Sequence, residues 1–515
     1  MLSAELGNSG SACQLPEVPL YSAQGGIPTT IPAEDGAALV AAAPAPAGDV
    51  DAQVGDQRGL ADSQAAANSG SDTAASGDTP SAASSAGPIT VAAAIAINVI
   101  KSDSLATITA GTTVTSTGGS VTVRSSANTD GTAEADGSSA TEGGSLSIGV
   151  AVAINLTTVT NTATVAGTVD AQGLTVEAVM TAVAADETHT NSATATSGAS
   201  GGNASIAVSL ALNIVNINTT AQVASAASVD VVGDVSVTAT SVGDATALAK
   251  PNDPAGVAGG SLGIGASVAL NIVNDRATAQ IADSTTDFSA SGDVRVVTTG
   301  GHTMATTAEA GAGSTGVSLA PAVAISVSTI SRVAKIADVG PALSIGGALN
   351  VESRGPPAAM TTTTTATGSA ETSADGSAAA GIALALTITN HTVSATIERN
   401  VTTAGDITIK AEGQSKSTSD ATASAAGAPG EGDPDAPAGD VDAQVGDQRG
   451  LADSQAAANS GSDTSASGDT PSAASSSGPI TVAAAIAINV IKSDSTATIS
   501  AGVTVTSTGG SVTVL

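Results

Sequence analysis

Repetition at two scales is the feature that most limits how this sequence can fold. The stretch from Ala45 to Val123 recurs as Ala436 to Val514, at an offset of 391 residues. Six positions differ, the last of them Arg124 against Leu515 just past the end of the repeat. Such close agreement indicates a recent duplication. We therefore expect the full protein to continue with further copies.

A shorter period lies inside the long one. Similar apolar segments recur, and the intervals between their equivalent polar positions are 57, 58, 58, 55 and 61 residues. These positions are Asn98, Asn155, Asn213, Asn271, Ser326 and Thr387. The whole chain has one Tyr, one Phe and no Trp, so a unit of this size lacks the bulk for an independent core. The units are therefore expected to stack on one another, as in a solenoid.

Each unit opens with a run in which bulky and small residues alternate. In one unit Ile148, Val150 and Val152 hold one phase, while Gly149 and Ala151 hold the other. Alternation with period two is typical of a β-strand, whose successive side chains point to opposite faces. We predict that the bulky face is buried, and that the small face meets another sheet or solvent.

The rest of each unit predicts shorter strands. A Gly-Asp pair such as Gly233-Asp234 precedes a brief apolar alternation, and a stretch rich in Thr, Ala, Ser and Gly, such as Thr190 to Asn203, closes the unit. Each unit would then supply three turns of roughly 20 residues. The predicted fold is all-β and elongated, a parallel β-solenoid or β-helix with disordered acidic linkers.

Composition divides the chain into five predicted segments. Two of them are rich in Asp, Ala, Ser and Gly, which is typical of disordered acidic linkers. The segments are an irregular N-terminal region at 1–45, a linker at 46–87, six tandem β repeats of about 58 residues at 88–422, a second linker at 423–478, and the start of the next copy at 479–515.

Charge and cysteine content exclude several classes of binding partner and covalent cross-link. The net charge is −32, which makes nucleic acid a poor partner and predicts only weak, nonspecific association with calcium. Cys13 is the only cysteine, so no disulfide framework can form within the chain. No apolar run reaches the roughly 18 residues that a membrane-spanning helix needs.

Two sets of polar residues are candidate functional positions. The aligned Asn98, Asn155, Asn213 and Asn271 suit either ligand-contacting amides or stacked structural amides, and their replacement by Ser and Thr in later units favours the structural role. The three histidines, which have no metal-ligand spacing, are expected to be solvated loop residues. They are His189, His302 and His391.

The remaining motifs are weak. Acidic residues beside glycine occur at Asp130-Gly131, Asp136-Gly137 and Asp375-Gly376, but no calcium-binding loop pattern surrounds them. Four glycosylation sequons begin at Asn203, Asn218, Asn390 and Asn400. We predict no catalytic residue, no cofactor and no dedicated metal site.

The repeat units resemble those of a known protein family. The segment SIAVSLALNIVN, followed by TAQVASAASVDVVGDVSVTA, is similar to repeats of giant bacterial surface adhesins of the filamentous-haemagglutinin-like, β-solenoid type. The resemblance covers about Pro88 to Ala411 and resumes at Pro479. It implies export to the bacterial cell surface or extracellular space, an elongated shaft, and attachment to a surface, host-cell or matrix ligand.

Three functions remain open from the sequence. The first is a non-catalytic shaft or stalk segment of a large extracellular bacterial adhesin that mediates cell-surface attachment. The alternative is a self-assembling extracellular fibre or sheath, in which small Ala and Ser faces stack between chains and the chain self-associates laterally. A remote alternative is a β-helical polysaccharide-processing enzyme.

Overall fold

The structure is a computed structural model, and the residues that it describes are strands and their connections, with no helix. The described residues are 81–84, 88–141, 143–183, 185–225, 227–252, 257–282, 287–338, 340–355, 360–372, 378–426, 470–475 and 480–515. The predicted N-terminal region at 1–45 lies outside them, as do Cys13 and most of both predicted linkers.

Seven long strands, numbered along the chain, form one entirely parallel sheet, which we call the long sheet. A 20-residue strand is about 66 Å long, far above the usual length. In sheet order the strands are β2 (Ile89–Ile108), β5 (Leu146–Val165), β8 (Ala204–Val223), β13 (Leu262–Ile281), β17 (Val317–Ile336), β21 (Ala378–Ile397) and β26 (Thr481–Ile499).

A second parallel sheet, the alanine sheet, comes from the stretches rich in Thr, Ala, Ser and Gly. Its strands are β1 (Ser81–Ser84), β4 (Gly131–Ala140), β7 (His189–Ser200), β11 (Gly243–Pro251), β12 (Val257–Ala258), β16 (His302–Ser314), β20 (Met360–Thr372), β24 (Ser415–Ala426) and β25 (Thr470–Ser475).

A third parallel sheet, the valine sheet, collects the shorter apolar strands. Five of its seven layers are divided into two strands of the same sheet, three of them at a Gly-Asp pair and two at a Gly-Gly pair. Its strands are β3 (Thr113–Ala127), β6 (Thr168–Met180), β9 (Ser228–Val231), β10 (Val235–Thr240), β14 (Asp287–Ala290), β15 (Val294–Thr299), β18 (Leu343–Ile345), β19 (Leu349–Arg354), β22 (Val401–Thr403), β23 (Ile407–Glu412), β27 (Val505–Ser507) and β28 (Val512–Val514).

Each repeat unit is one layer of the three sheets. In the long sheet Asn98 pairs with Asn155, which pairs with Asn213 in turn. Partner residues are therefore a whole unit apart, and the prediction of three 20-residue turns per unit is wrong. Between the sixth and seventh layers Thr387 pairs with Asn489, an interval of 102 residues, and the register still holds.

The assignment of faces in the long strands is also wrong. The small residues point inward: Ala151 and Ala153 are fully buried, while Ile148, Val150 and Val152 on the opposite face are only half-buried. The same phase holds in the first half of β8, where Ala211 is fully buried and the bulky residues face outward. The core between these strand halves therefore forms from the small residues, which the sequence analysis placed against another sheet or solvent.

Close approach of two sheets explains this inversion. A Cβ atom built on Gly149 would lie 1.9 Å from the carbonyl oxygen of Gly198, and one on Gly137 would lie 1.8 Å from that of Val150. Not even the methyl group of alanine fits at these two glycines, where the backbones are this close. Alanines of the long and alanine sheets, among them Ala153 and Ala195, fill most of the rest of this interface as one buried cluster.

The second half of each long strand packs differently. There the inward side chains, such as Val165 and Val223, join those of the valine sheet, such as Val176 and Val237, in a continuous apolar core. The interior thus has an alanine-filled part and a valine-filled part, joined near the middle of the long strands. This arrangement places the polar residues described below at the junction.

The inverted phase predicts that one added methyl group on Gly149 is destabilising. Gly149→Ala should lower stability by about 1–3 kcal/mol, because the new methyl would overlap a backbone oxygen. Gly118→Ala is the matched control, since nothing lies within 4 Å of a Cβ there. Thermal unfolding followed by circular dichroism measures both. Equal midpoints for the two variants would mean that Gly149 faces outward.

Candidate functional site: buried polar ladders and an outer apolar face

The aligned asparagines form a hydrogen-bonded ladder inside the stack. The side-chain amide of Asn98 donates to Oδ1 of Asn155 at 2.9 Å, Asn155 donates to Asn213 at 2.8 Å, and Asn213 donates to Asn271 at 3.2 Å. Three of the four residues are fully buried and Asn98 is nearly so. Because each amide is both donor and acceptor, an in-register column satisfies itself.

Hydroxyl groups replace the amides in the next layers. The Oγ of Ser326 donates to Thr306 at 2.7 Å, and Thr387 donates to Thr364 at 2.6 Å. Asn271 ends the amide run by donating to the backbone oxygens of Ala245 and Ala305, at 3.0 and 3.1 Å. The whole column therefore serves internal packing, as the structural interpretation of the asparagines predicts.

The prediction that the histidines are solvated loop residues is wrong. All three lie in strands and are buried, with exposed fractions of 0% for His189, 3% for His302 and 1% for His391. They share the inward phase of their strands with the small residues. Burial lowers the pKa of His189 to about 4, and burial with the nearby charges of His302 and Arg332 lowers that of His391 to about 4.

A charged pair is enclosed at the same junction. Two guanidinium nitrogens of Arg332 contact the carboxylate of Asp275, at 2.7 and 3.2 Å, and both residues are fully buried. The remaining donors of Arg332 reach the backbone oxygens of Ser241 and Gly300, at 3.2 and 3.3 Å. This buried cation therefore keeps its hydrogen bonds, which is what makes burial of a charge tolerable.

Asp275 is held in its charged form. Burial acts to raise its pKa, but the charge of Arg332 and hydrogen bonds from His302 and Arg332 outweigh burial and hold that pKa well below its usual range. The Oγ of Ser241 also donates to Asp275 at 2.8 Å. Nδ1 of His302 lies 3.4 Å from Oδ2 of the carboxylate.

A missing side chain makes room for His302. In the alanine sheet Gly243 pairs with His189 on one side and with His302 on the other. A Cβ on Gly243 would lie 2.6 Å from Nδ1 of His302. The glycine thus leaves the space that the imidazole fills between Gly243 and Asp275.

The Gly-Asp turns of the valine sheet connect successive layers. Oδ1 of Asp234 accepts a hydrogen bond from the backbone N–H of Asp293 in the next layer at 2.8 Å, and Asp293 accepts one from Ala348, also at 2.8 Å. Asp406 does the same with Ser511 at 2.7 Å, and this hydrogen bond lowers its pKa. In each case the carboxylate bonds the backbone of the neighbouring unit.

The acidic residues beside glycine do not gather into a site. Asp130 accepts a hydrogen bond from the backbone N–H of Thr190 at 2.8 Å, and burial raises its pKa, whereas Asp136 bonds Ser138 at 2.7 Å. Residues 375–376 lie outside the described residues. Within the described chain no group of three or more His, Cys, Asp or Glu residues could hold a metal ion. The four sequon asparagines are exposed.

A glycine-lined trough of about 610 Å³ runs along one corner of the stack. Consecutive layers contribute the pairs Gly143-Gly144, Gly201-Gly202 and Gly259-Gly260, with Ser145 and Asn203 beside them. Its lining has no carboxylate, imidazole or ammonium group. The trough therefore offers a ligand only backbone groups and two short polar side chains.

One extensive surface feature of the described residues is the outward face of the first half of the long strands, which we call the outer apolar face. It consists of five columns through seven layers, and every position carries an apolar residue. Its members are the outward residues of 91–99, 148–156, 206–214, 264–272, 319–327, 380–388 and 482–490.

The outer apolar face stops at one line across the sheet. The next outward position is polar or charged in every layer, and beyond it Leu105 and Val333 are the only apolar outward residues of the described long strands. These positions are Lys101, Thr158, Asn216, Asn274, Thr329, Asn390 and Lys492. Sequence reasoning missed this surface because it placed the same side chains in the core.

Removing Arg332 should lower the folding stability, because the buried carboxylate of Asp275 then has no charged partner. Arg332→Met leaves a buried carboxylate without its partner and should destabilise the protein by roughly 3–5 kcal/mol. Arg276→Met, at an exposed outward position of β13, should change stability by no more than about 0.5 kcal/mol. Chemical denaturation compares them. A similarly small loss of stability in both variants would mean that the Arg332 side chain is solvated.

The buried histidines predict instability in acid. An unfolded histidine binds a proton near pH 6.5. His189 and His391 stay neutral in the folded protein to about pH 4. Their contribution is complete above pH 6.5 and is lost as the pH falls towards 4, by on the order of 3 kcal/mol per residue. Thermal midpoints at pH 7.5, 6 and 5 should fall, and the fall should shrink in the variant His189→Gln/His391→Gln. A midpoint that stays constant over this range would contradict the burial of both imidazoles.

Comparisons with known proteins give no match. No protein-family model matches the sequence, and neither a curated protein nor a solved structure matches the chain. Among the described residues, no helix is long and apolar enough to pass through a membrane. The function proposed below therefore depends on the residues and geometry of this chain alone.

Proposed function

We propose that this chain is a non-catalytic shaft segment of a large extracellular bacterial adhesin, and that its three sheets wind as a parallel β-solenoid. The shaft displays a ligand-binding region encoded elsewhere in the protein and bridges the distance between the cell surface and the target. The observation that carries this proposal is that stacking continues from one 391-residue copy into the next.

The boundary between copies supports the proposal in detail. The seventh layer repeats the sequence of the first, and its strands β26, β27 and β28 pair with β21, β22 and β23 of the sixth. The long and valine sheets therefore run through the boundary without a change of register. Each copy adds six layers, or about 29 Å of length at about 4.8 Å per layer. Repeated copies would lengthen the stack while its cross-section stays the same.

The positions of the imidazole, carboxylate and guanidinium groups also favour a structural role. The histidines and the Asp275–Arg332 pair lie in the interior. His302 and Arg332 contact Asp275, whereas His189 accepts a hydrogen bond from a backbone N–H and His391 bonds two serine hydroxyls. The trough, a cleft at the surface of the described stack, has a lining without acid or base groups. Neither feature favours the polysaccharide-processing alternative. The fibre alternative, in the form that stacks small Ala and Ser faces between chains, has no support because those faces lie inside the stack.

The shaft proposal predicts how length depends on copy number. Chains with one, two and three 391-residue copies should appear in negative-stain electron micrographs as stacks of constant width. The length should increase by about 29 Å per copy, the rise of six layers. Compact particles joined by variable gaps would contradict a continuous shaft.

A binding assay separates the shaft from an intrinsic adhesin. Beads coated with the purified chain should adhere to plastic, matrix proteins and host cells no more than beads coated with an unrelated acidic protein of similar size. Strong adhesion of the chain by itself would overturn the stalk role while leaving the fold proposal intact.

A further inference from the structure

The outer apolar face is larger than the apolar patches that monomers usually expose. Its five columns lie about 6.6 Å apart and its seven layers about 4.8 Å apart, so it covers about 26 by 29 Å, or about 760 Å². The largest patch on a typical monomer is about 300–600 Å². A stable protein–protein interface buries about 800 Å² on each partner. The face therefore has the area that one side of a stable dimer needs.

Charge is absent from this face in a strongly charged chain. None of its positions carries an acidic or basic residue, although the net charge is −32. The first charged groups occur at the polar boundary, the line of outward positions from Lys101 to Lys492 where the face ends. There Lys101 pairs with Asp103 at 2.8 Å and Lys492 with Asp494 at 3.0 Å. Two such faces can meet without burying a charge, and charge depletion at the centre is typical of interfaces.

The shape of the face favours a partner with the same spacing. The third, fourth and fifth columns carry Val, Ile or Leu in every layer and make parallel ridges with grooves between them. The side chains of the inner layers are half-covered by those above and below. At the end layers the same columns are more exposed, at 41% for Ile95 and 53% for Ile486. A second copy has the identical ridge spacing, and a two-fold axis brings the face onto itself.

We propose that the outer apolar face docks on the same face of a second copy of this chain, so that two stacks pack as an isologous dimer. The long sheets then lie face to face about 10 Å apart, as in a β-sandwich. The acidic groups of both copies stay outside the interface. This proposal does not rest on the shaft proposal, since a dimer can form from the 515-residue chain whatever its role.

Sedimentation of the full 515-residue chain tests the dimer. The chain should sediment at twice its monomer mass of 48.2 kDa at micromolar concentration. Association should strengthen from 0.15 to 1 M NaCl, because salt screens the repulsion between two acidic chains. A wild-type chain that remains monomeric at 1 M NaCl would overturn the proposal.

Matched substitutions on β8 locate the interface. Leu210→Lys, at the centre of the face, should weaken dimerisation at least about 30-fold, the effect of a central interface residue. Asn218→Lys adds the same charge at an outward position past the polar boundary and should leave dimerisation unchanged. Lysine is chosen because it reduces the net negative charge, so loss of the dimer cannot come from added repulsion. Circular dichroism checks that both variants fold.

Two further results would overturn the proposal. A dimer that survives Leu210→Lys unchanged would place the interface elsewhere on the chain. A wild-type monomer that binds neutral phosphatidylcholine vesicles, with binding lost in Leu210→Lys and kept in Asn218→Lys, would assign the face to a lipid surface.

Discussion

Close contact between the long sheet and the alanine sheet is the constraint from which the rest of the structure follows. Where Gly149 faces the backbone of Gly198 there is no room for a side chain, and alanine fills most of the surrounding interface. Every bulky residue of these strand halves must then face outward. The contact explains at once the alanine core, the inverted phase and the apolar outer surface.

In-register stacking makes a polar interior tolerable. A single buried asparagine would leave amide groups unsatisfied, whereas a column of them supplies donors and acceptors layer by layer. The Asp275–Arg332 pair does the same for charge across two adjacent layers. A slip of one residue would turn each of these groups to the outer face, so the ladders help to fix the register.

The sequence contained the layered all-β plan, and much of the interior could have been found in it. The aligned Asn positions gave the true layer period, since those residues are direct partners in neighbouring strands. Period-two alternation gave the strands but could not say which phase faces inward. The usual rule that larger apolar residues are buried chose the wrong one.

That single choice accounts for most of the other errors. Asp275, Arg332 and His391 all share the phase of the asparagine column within their strands, so an inward assignment would have predicted their burial. The partner of His302 could not be predicted, because the meeting of Gly243 and Asp275 depends on how two sheets face each other. The prediction of about 20 residues per turn was wrong for a related reason. Strands of 20 residues are outside the range that ordinary solenoid repeats suggest.

The 102-residue interval between Thr387 and Asn489 has a consequence for how such a chain can change. Side-chain columns, and not the contour length of the connection, determine where the next strand lands. Lengthening a connection costs little, since doubling a loop adds only about 0.6 kcal/mol of closure entropy. New sequence can therefore be inserted into the connection between these two layers during evolution. The strands on either side keep their pairing.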